Sequence, residues 1–362
     1  MIADGLALHA ATAGVNGPDA CQDELVGGQV LRIYAGVSQN IPIEVSGGLD
    51  GVANTVSCSK LPTGLTFAKG RIRGVATKPG EKKTVKLTAT NKWKWTGCLK
   101  FTLEVVSLPG WAKGTYNGGA TAIALNGGGA SALVGRRAGL EGTASLSVSS
   151  TGKISGKYAW PDGVSHVFPI TSFHGVDDDG FFSTGGISSE GTVKWSSGVR
   201  IESEEFPASD GSAVLRGVAV FSTMLKSSPY DADAQLVGSN GFFVAELRQN
   251  IWSSKKAKLP AFAFTKKIRS FSKKVTGVGG YNLTFKFGEK GAVTVSAAKS
   301  GKSSAVATAS SHLTLLDYAP DMGWSGEVAV VIPKIKFCEV FKVAIADVDK
   351  VSAADIVLSR AD

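Results

Sequence analysis

Gly139 to Tyr158 reads GLEGTASLSVSSTGKISGKY, and its pattern decides the fold class. Ala144, Leu146 and Val148 alternate with Ser145, Ser147 and Ser149, which is the two-residue period of a strand with one buried face. Ser150-Thr151-Gly152-Lys153 is a tight turn in which Gly152 is free to take a positive φ. Ile154, Gly156 and Tyr158 then run back, so the stretch is a β-hairpin. A similar stretch, GAVTVSAAKSGKSS, runs from Gly291 to Ser304. In each, two glycines stand ten residues apart (Gly142 and Gly152, then Gly291 and Gly301), and Gly-Lys-x-Ser forms the turn. An internal hairpin repeat is therefore expected.

The rest of the chain fits strands added around these hairpins. Its 362 residues allow two or three domains with ample core. The 45 glycines punctuate short apolar runs, with Asn-Gly, Asp-Gly or Pro-Gly recurring about every ten residues. That spacing is all-β. No apolar run is long enough for a membrane-spanning helix. The start, MIADGLALHAATAG, lacks a basic region and a long apolar stretch, so it does not read as a signal peptide. Residues 1–28 read as an irregular arm, in which Leu6, Ala7 and Leu8 can add a short strand to a neighbour.

After the strands Val30–Tyr34 and Ile41–Val45 come three connected phrases. They are Leu61-Pro62-Thr63-Gly64-Leu65-Thr66-Phe67, then Gly70-Arg71-Ile72-Arg73-Gly74-Val75-Ala76-Thr77-Lys78-Pro79-Gly80, then Val85-Lys86-Leu87-Thr88-Ala89-Thr90-Asn91. Together they resemble the Ig-like, cadherin-like repeat of bacterial surface proteins, with its LPxGL turn, xIxGxPTxxG phrase and threonine-rich strand. Ala76 stands where that family usually has proline. The resemblance covers residues 29–107 and implies an exported, modular, non-catalytic sandwich. In it Pro62 and Gly64 set a turn, Gly74 allows close approach of backbone, and Pro79-Gly80 turns into the long strand. The acidic clusters of cadherin-type calcium sites are missing from its ends.

Leu108-Pro109-Gly110 reads as a linker. Beyond it, residues 108–362 read as a large antiparallel β-barrel or double-sheet domain of about fifteen strands. A half-boundary is expected near 224–240. The hairpin GTASLSVSSTGKISG also resembles the β-barrel domains of bacterial surface lipoproteins of the transferrin-binding type.

Four cysteines, Cys21, Cys58, Cys98 and Cys338, make no CxxC pair, which argues against zinc. An even count in an exported strand-rich chain favours disulfides, and three connectivities exist. Cys58–Cys98 is preferred because both fall inside the Ig-like segment, which leaves Cys21 with Cys338. The net charge of +9 is concentrated in Lys255 to Lys274, where Lys255, Lys256, Lys258, Lys266, Lys267, Arg269, Lys273 and Lys274 stand without an acid. An anionic glycan or surface suits such a run, as does a simple solvated face. No nucleic-acid motif accompanies it. Trp93 and Trp95 alternate with Lys92 and Lys94 and would share one face, suited to stacking on sugar rings.

The catalytic candidates are thin. Asp177-Asp178-Asp179-Gly180 is an acidic triplet that calcium could use, but it lacks EF-hand spacing and is better read as a plain hairpin turn. Glu202, Glu204, Glu205 and Asp210 could supply paired carboxylates for a glycosidase, or simply keep an edge strand from aggregating. His166, His174 and His312 sit in strand-like contexts with no nucleophile elbow or HExxH beside them. Asp347-Val-Asp349-Lys-Val351 resembles the end of a dockerin loop, but the Val351 side chain cannot bind calcium. Ser352 and Asp355 are better read as N-cap and N3 of a short terminal helix.

The expectation is a non-catalytic, cofactor-free structural or adhesive module of a cell surface. Its partners would be other surface subunits or surface glycans, with no nucleic acid, and with homo-assembly through the N-terminal arm. The alternative is a glycan- or small-ligand-binding barrel.

Overall fold

The computed structural model describes residues 6–9, 30–46, 55–90, 96–123, 140–159, 165–168, 172–176, 182–190, 193–225, 242–252, 259–260, 270–348 and 350–360. Among them the chain is all-β, with helical geometry confined to three-residue 3-10 turns. None of the described helices is long and apolar enough to cross a membrane.

The chain forms two compact units. The first is Met1–Pro109 with Ser149–Lys153 and Thr171–Thr184. Its strands are β1 (Leu6–His9), β2 (Val30–Tyr34), β3 (Ser38–Ser46), β4 (Thr55–Cys58), β5 (Leu65–Ala68), β6 (Arg71–Val75), β7 (Lys82–Thr90) and β8 (Thr96–Val106). They make two four-stranded sheets, β1-β3-β6-β5 and β2-β8-β7-β4. Ile43, Leu65 and Ile72 from one sheet and Ile33, Val85, Leu103 and Val105 from the other share one core. The arm's strand β1 pairs in parallel with β3 of its own chain.

Two pairs of glycines set the geometry of this unit. Gly64 lies at φ 93° and Gly74 at φ 124°, and Val75 N–H donates to the Gly64 carbonyl. A Cβ on Gly74 would stand 2.3 Å from that carbonyl oxygen. Gly36 and Gly152 meet backbone to backbone, so a Cβ on Gly36 would stand 2.2 Å from the Gly152 Cα. Beside them Phe173 N–H donates to the Gly36 carbonyl, Ser38 N–H donates to the Phe173 carbonyl, and Phe173 is fully buried.

The second unit is Gly110–Val148, Ile154–Ile170 and Gly185–Asp362. The chain continues through β9 (Gly114–Ile123), β10 (Leu140–Val148), β11 (Ile154–Ala159), β12 (Ser165–Phe168), β13 (Gly175–Val176), β14 (Phe182–Glu190), β15 (Val193–Pro207), β16 (Ala213–Leu225) and β17 (Phe242–Gln249). These form a nine-stranded half-barrel in the order β12-β11-β10-β9-β17-β16-β15-β14-β13. Tyr158 of β11 stacks on Phe221 of β16, ring centroids 4.6 Å apart, although three strands separate them in the sheet. The sheet therefore curls over its own apolar face. Gly156 makes room for this, since a Cβ there would come within 3.0 Å of the Phe221 ring.

The last seven strands are β18 (Phe271–Val278), β19 (Tyr281–Phe287), β20 (Ala292–Lys299), β21 (Ala305–Ala319), β22 (Gly323–Ile332), β23 (Phe337–Ile345) and β24 (Ile356–Arg360). They follow chain order around a nearly closed barrel. Leu283, Phe285, Val295, Val330, Phe341 and Val343 fill its lumen, and Phe285 meets Phe341 edge-on at 4.7 Å. So small a barrel has room for side chains alone. Ala329 and Val331, which alternate with the lumen residues of β22, are buried too, because β10 packs against β22 and β23.

Both hairpins read from the sequence exist, and Gly152 and Gly301 take φ of 76° and 79°. They differ in closure: Val148 faces Ile154 in the first, whereas the second slips register beside Ala298 before its turn. The terminal helix expected from Ser352 is a turn instead. Ser352 N–H and hydroxyl both donate to the Asp355 carboxylate, as in a cap, but Ile356 enters strand β24. The edge of β23 offers unpaired backbone groups, and β24 satisfies them while burying Ile356. Most of the half-boundary expected near 224–240 lies outside the described residues.

Candidate functional site

A buried polar group of the second unit centres on Arg216. Its strand reads Ala213-Val-Leu-Arg-Gly-Val-Ala-Val-Phe221, a single cation within an apolar run. Strand register sets Arg216 directly opposite Glu204 of β15. Arg216 Nε donates to Glu204 Oε2 at 2.7 Å. Its other nitrogens donate to the main-chain carbonyls of Leu315 and Leu316 on β21. The guanidinium carbon lies 4.4 Å from the centroid of the Phe206 ring, which stacks on Trp324. Arg216 thus bolts the half-barrel sheet to the seven-stranded barrel.

The Arg216 side chain is 1 % exposed and that of Glu204 40 %. Burial pulls the guanidinium below its ordinary value, and the hydrogen bond and charge of Glu204 oppose the shift. Arginine stays protonated through such a change. With one carboxylate and two carbonyls around it, the group is already satisfied and does not present a receptor for an external anion.

A second knot lies nearby. Gln249 donates to the carbonyls of Gly110 and Lys113 and accepts from Gly217 N–H. Tyr116 hydroxyl donates to the Trp111 carbonyl, and Tyr158 hydroxyl to the Phe221 carbonyl at 2.9 Å. Burial raises both phenols above their usual range. These groups fasten strands to one another and to the turn at 110–113.

The expected carboxylate set is not assembled. Glu202 and Glu204 do share a face of β15, but Glu204 is spent on Arg216. Asp210 sits in the turn before β16 and accepts from Ser212 N–H and hydroxyl. Glu205 faces Leu215 from the other side of the strand. The histidines are also apart. His166 lies on β12 and His174 is exposed beside β13. His312 lies on β21 with its Nδ1 buried and without a hydrogen-bond partner among the described residues, and burial lowers its pKa. Among the described residues no group of three metal-binding side chains occurs.

The preferred Cys58–Cys98 disulfide does not form. Cys58 is a thiol, half-buried on β4, and burial raises its pKa. Strand β7 stands between β4 and β8, with Cys58 opposite Leu87 and Cys98 opposite Thr88. The two cysteines are therefore two strand spacings apart, about 10 Å, and point to opposite faces. Cys338 is likewise a thiol, so the Cys21–Cys338 bridge falls with it. Cys21, Trp93, Trp95, Asp177, Asp178, Asp179, Lys255, Lys256, Lys258, Lys266, Lys267 and Arg269 lie outside the described residues. Of the basic run only Lys273 and Lys274 are described, both on β18.

Sequence reading passed over Arg216. An unpaired arginine in an apolar strand, with a glutamate at matching depth in the strand before it, was the available signal. No protein-family model matches the chain, and no curated protein matches it.

Proposed function

We propose that the chain is a non-catalytic structural or adhesive module of a cell surface, with an Ig-like first unit followed by barrel-type sheets. The observation that supports this most is where the buried polar groups go. Arg216, Gln249, Tyr116 and Tyr158 all donate to main-chain carbonyls, on strands β21 and β16 for Arg216 and Tyr158 and in the turn at 110–113 for Gln249 and Tyr116. Such an arrangement spends its polar chemistry on holding sheets together. The resemblance of residues 29–107 to surface-protein repeats supports an extracellular compartment, in which other surface subunits are the natural partners. Immunogold microscopy of the native cells tests the reading; label confined to the cell interior refutes it.

A second reading, a glycan-binding module, has its own support in the hydroxyl- and lysine-bearing outer face of the barrel. The filled lumen weighs against a ligand held inside it.

A further inference from the structure

The geometry points to the outer face of β18–β21 as a docking surface for a linear acidic polysaccharide; this deepens the glycan-binding reading and rests on it. Strand register lines up two complete rows across four strands. One is Ser272, Lys286, Thr294 and Ser310. The next is Lys274, Thr284, Ser296 and Thr308. Each row spans three strand spacings, about 14 Å. Their neighbours along the strands, Phe285, Phe287, Val293 and Val295, point into the lumen, so the rows face outward together.

The chemistry of these rows is one-sided. Every member is an alcohol or an ammonium, and neither row holds a carboxylate. Lys274 and Lys286 are exposed, stand diagonally across β18 and β19, and have no ion-pair partner among the described residues. Ser296 and Thr308 hydroxyls lie 3.4 Å apart, which continues a hydroxyl ladder from strand to strand. The nearest carboxylates along these strands, Glu289 and Asp317, belong to the turn after β19 and the far end of β21. In the sequence six more cations, from Lys255 to Arg269, directly precede β18.

Ammonium groups supply attraction to a polyanion, and hydroxyls can both donate to and accept from sugar hydroxyls. The rows contain no aromatic side chain. Single-stranded nucleic acid is held largely by base stacking on such rings, so a polysaccharide carrying carboxylates fits the face better.

Binding of the full chain to polygalacturonate, measured beside neutral dextran and single-stranded DNA, tests this. The expected result is saturable binding to polygalacturonate that weakens as NaCl rises from about 0.05 to about 0.5 M. Lys274→Glu with Lys286→Glu should weaken it at least tenfold. Lys60→Glu with Lys86→Glu makes the same change of charge in the first unit and should leave it within about twofold. All four lysines are exposed, so far-ultraviolet circular dichroism should match the parent. Equal effects of the two pairs, or DNA bound as tightly as polygalacturonate, overturn the proposed face. Dextran bound as well as polygalacturonate overturns the face but leaves the glycan-binding reading standing. Binding to neither polysaccharide overturns both.

Discussion

Replacing Arg216 by methionine keeps much of the side-chain volume and removes every hydrogen bond the guanidinium makes. It orphans the Leu315 and Leu316 carbonyls on β21 and leaves Glu204 without its cation. A buried polar group left without a partner costs about 1–3 kcal/mol, and removing one member of a buried ion pair about 3–5 kcal/mol. Glu204 can turn to water, because its side chain is 40 % exposed, so the loss belongs near the lower end, about 3 kcal/mol. Glu204→Gln should cost less, about 1 kcal/mol, since the amide oxygen can still accept from Nε. Urea unfolding followed by tryptophan fluorescence is the assay, since Trp324 stacks on the Phe206 ring that lies beneath the guanidinium. The double variant should lose less than the two single losses together, by about 1 kcal/mol or more. If Arg216→Met unfolds within about 0.5 kcal/mol of the parent, the cluster does not fasten the two sheets and the reasoning fails.

Two further outcomes are expected. Gly74→Val should destabilise the first unit by about 3 kcal/mol, because Gly74 has φ 124° and its new Cβ would strike the Gly64 carbonyl. Gly80→Ala, at φ 84° in open space, should cost only about 1 kcal/mol, and equal melting shifts for the two would show that close approach is not the constraint. His312 has a folded pKa below its unfolded value of about 6.5, so the unfolded chain binds more protons. Its contribution to stability is complete above that value and is lost as the pH falls through the lower folded one. Unfolding midpoints taken from pH 7.5 down to 5 should decline less in His312→Leu than in the parent; parallel curves contradict the assignment.

Local chemistry was enough to specify the strands. The Ala144-Leu146-Val148 alternation and the Gly152 turn act within a few residues, and they appear as β10, β11 and a positive φ. Pro62, Gly64 and Gly80 likewise mark turns. Where local signals competed with long-range pairing, the pairing won. Ser352 and Asp355 make a cap-like bond, yet the open edge of β23 draws Ile356–Arg360 into a strand. The cysteine pairing depended on strand order, and the intervening β7 was invisible to a count of thiols. Arg216 depended on distance of another kind, since its carbonyl partners lie about a hundred residues further along the chain. Alternation tells which face of a strand is buried. Only the folded sheets determine what that face meets, because the contacts that satisfy a buried charge are made between strands the sequence does not place side by side.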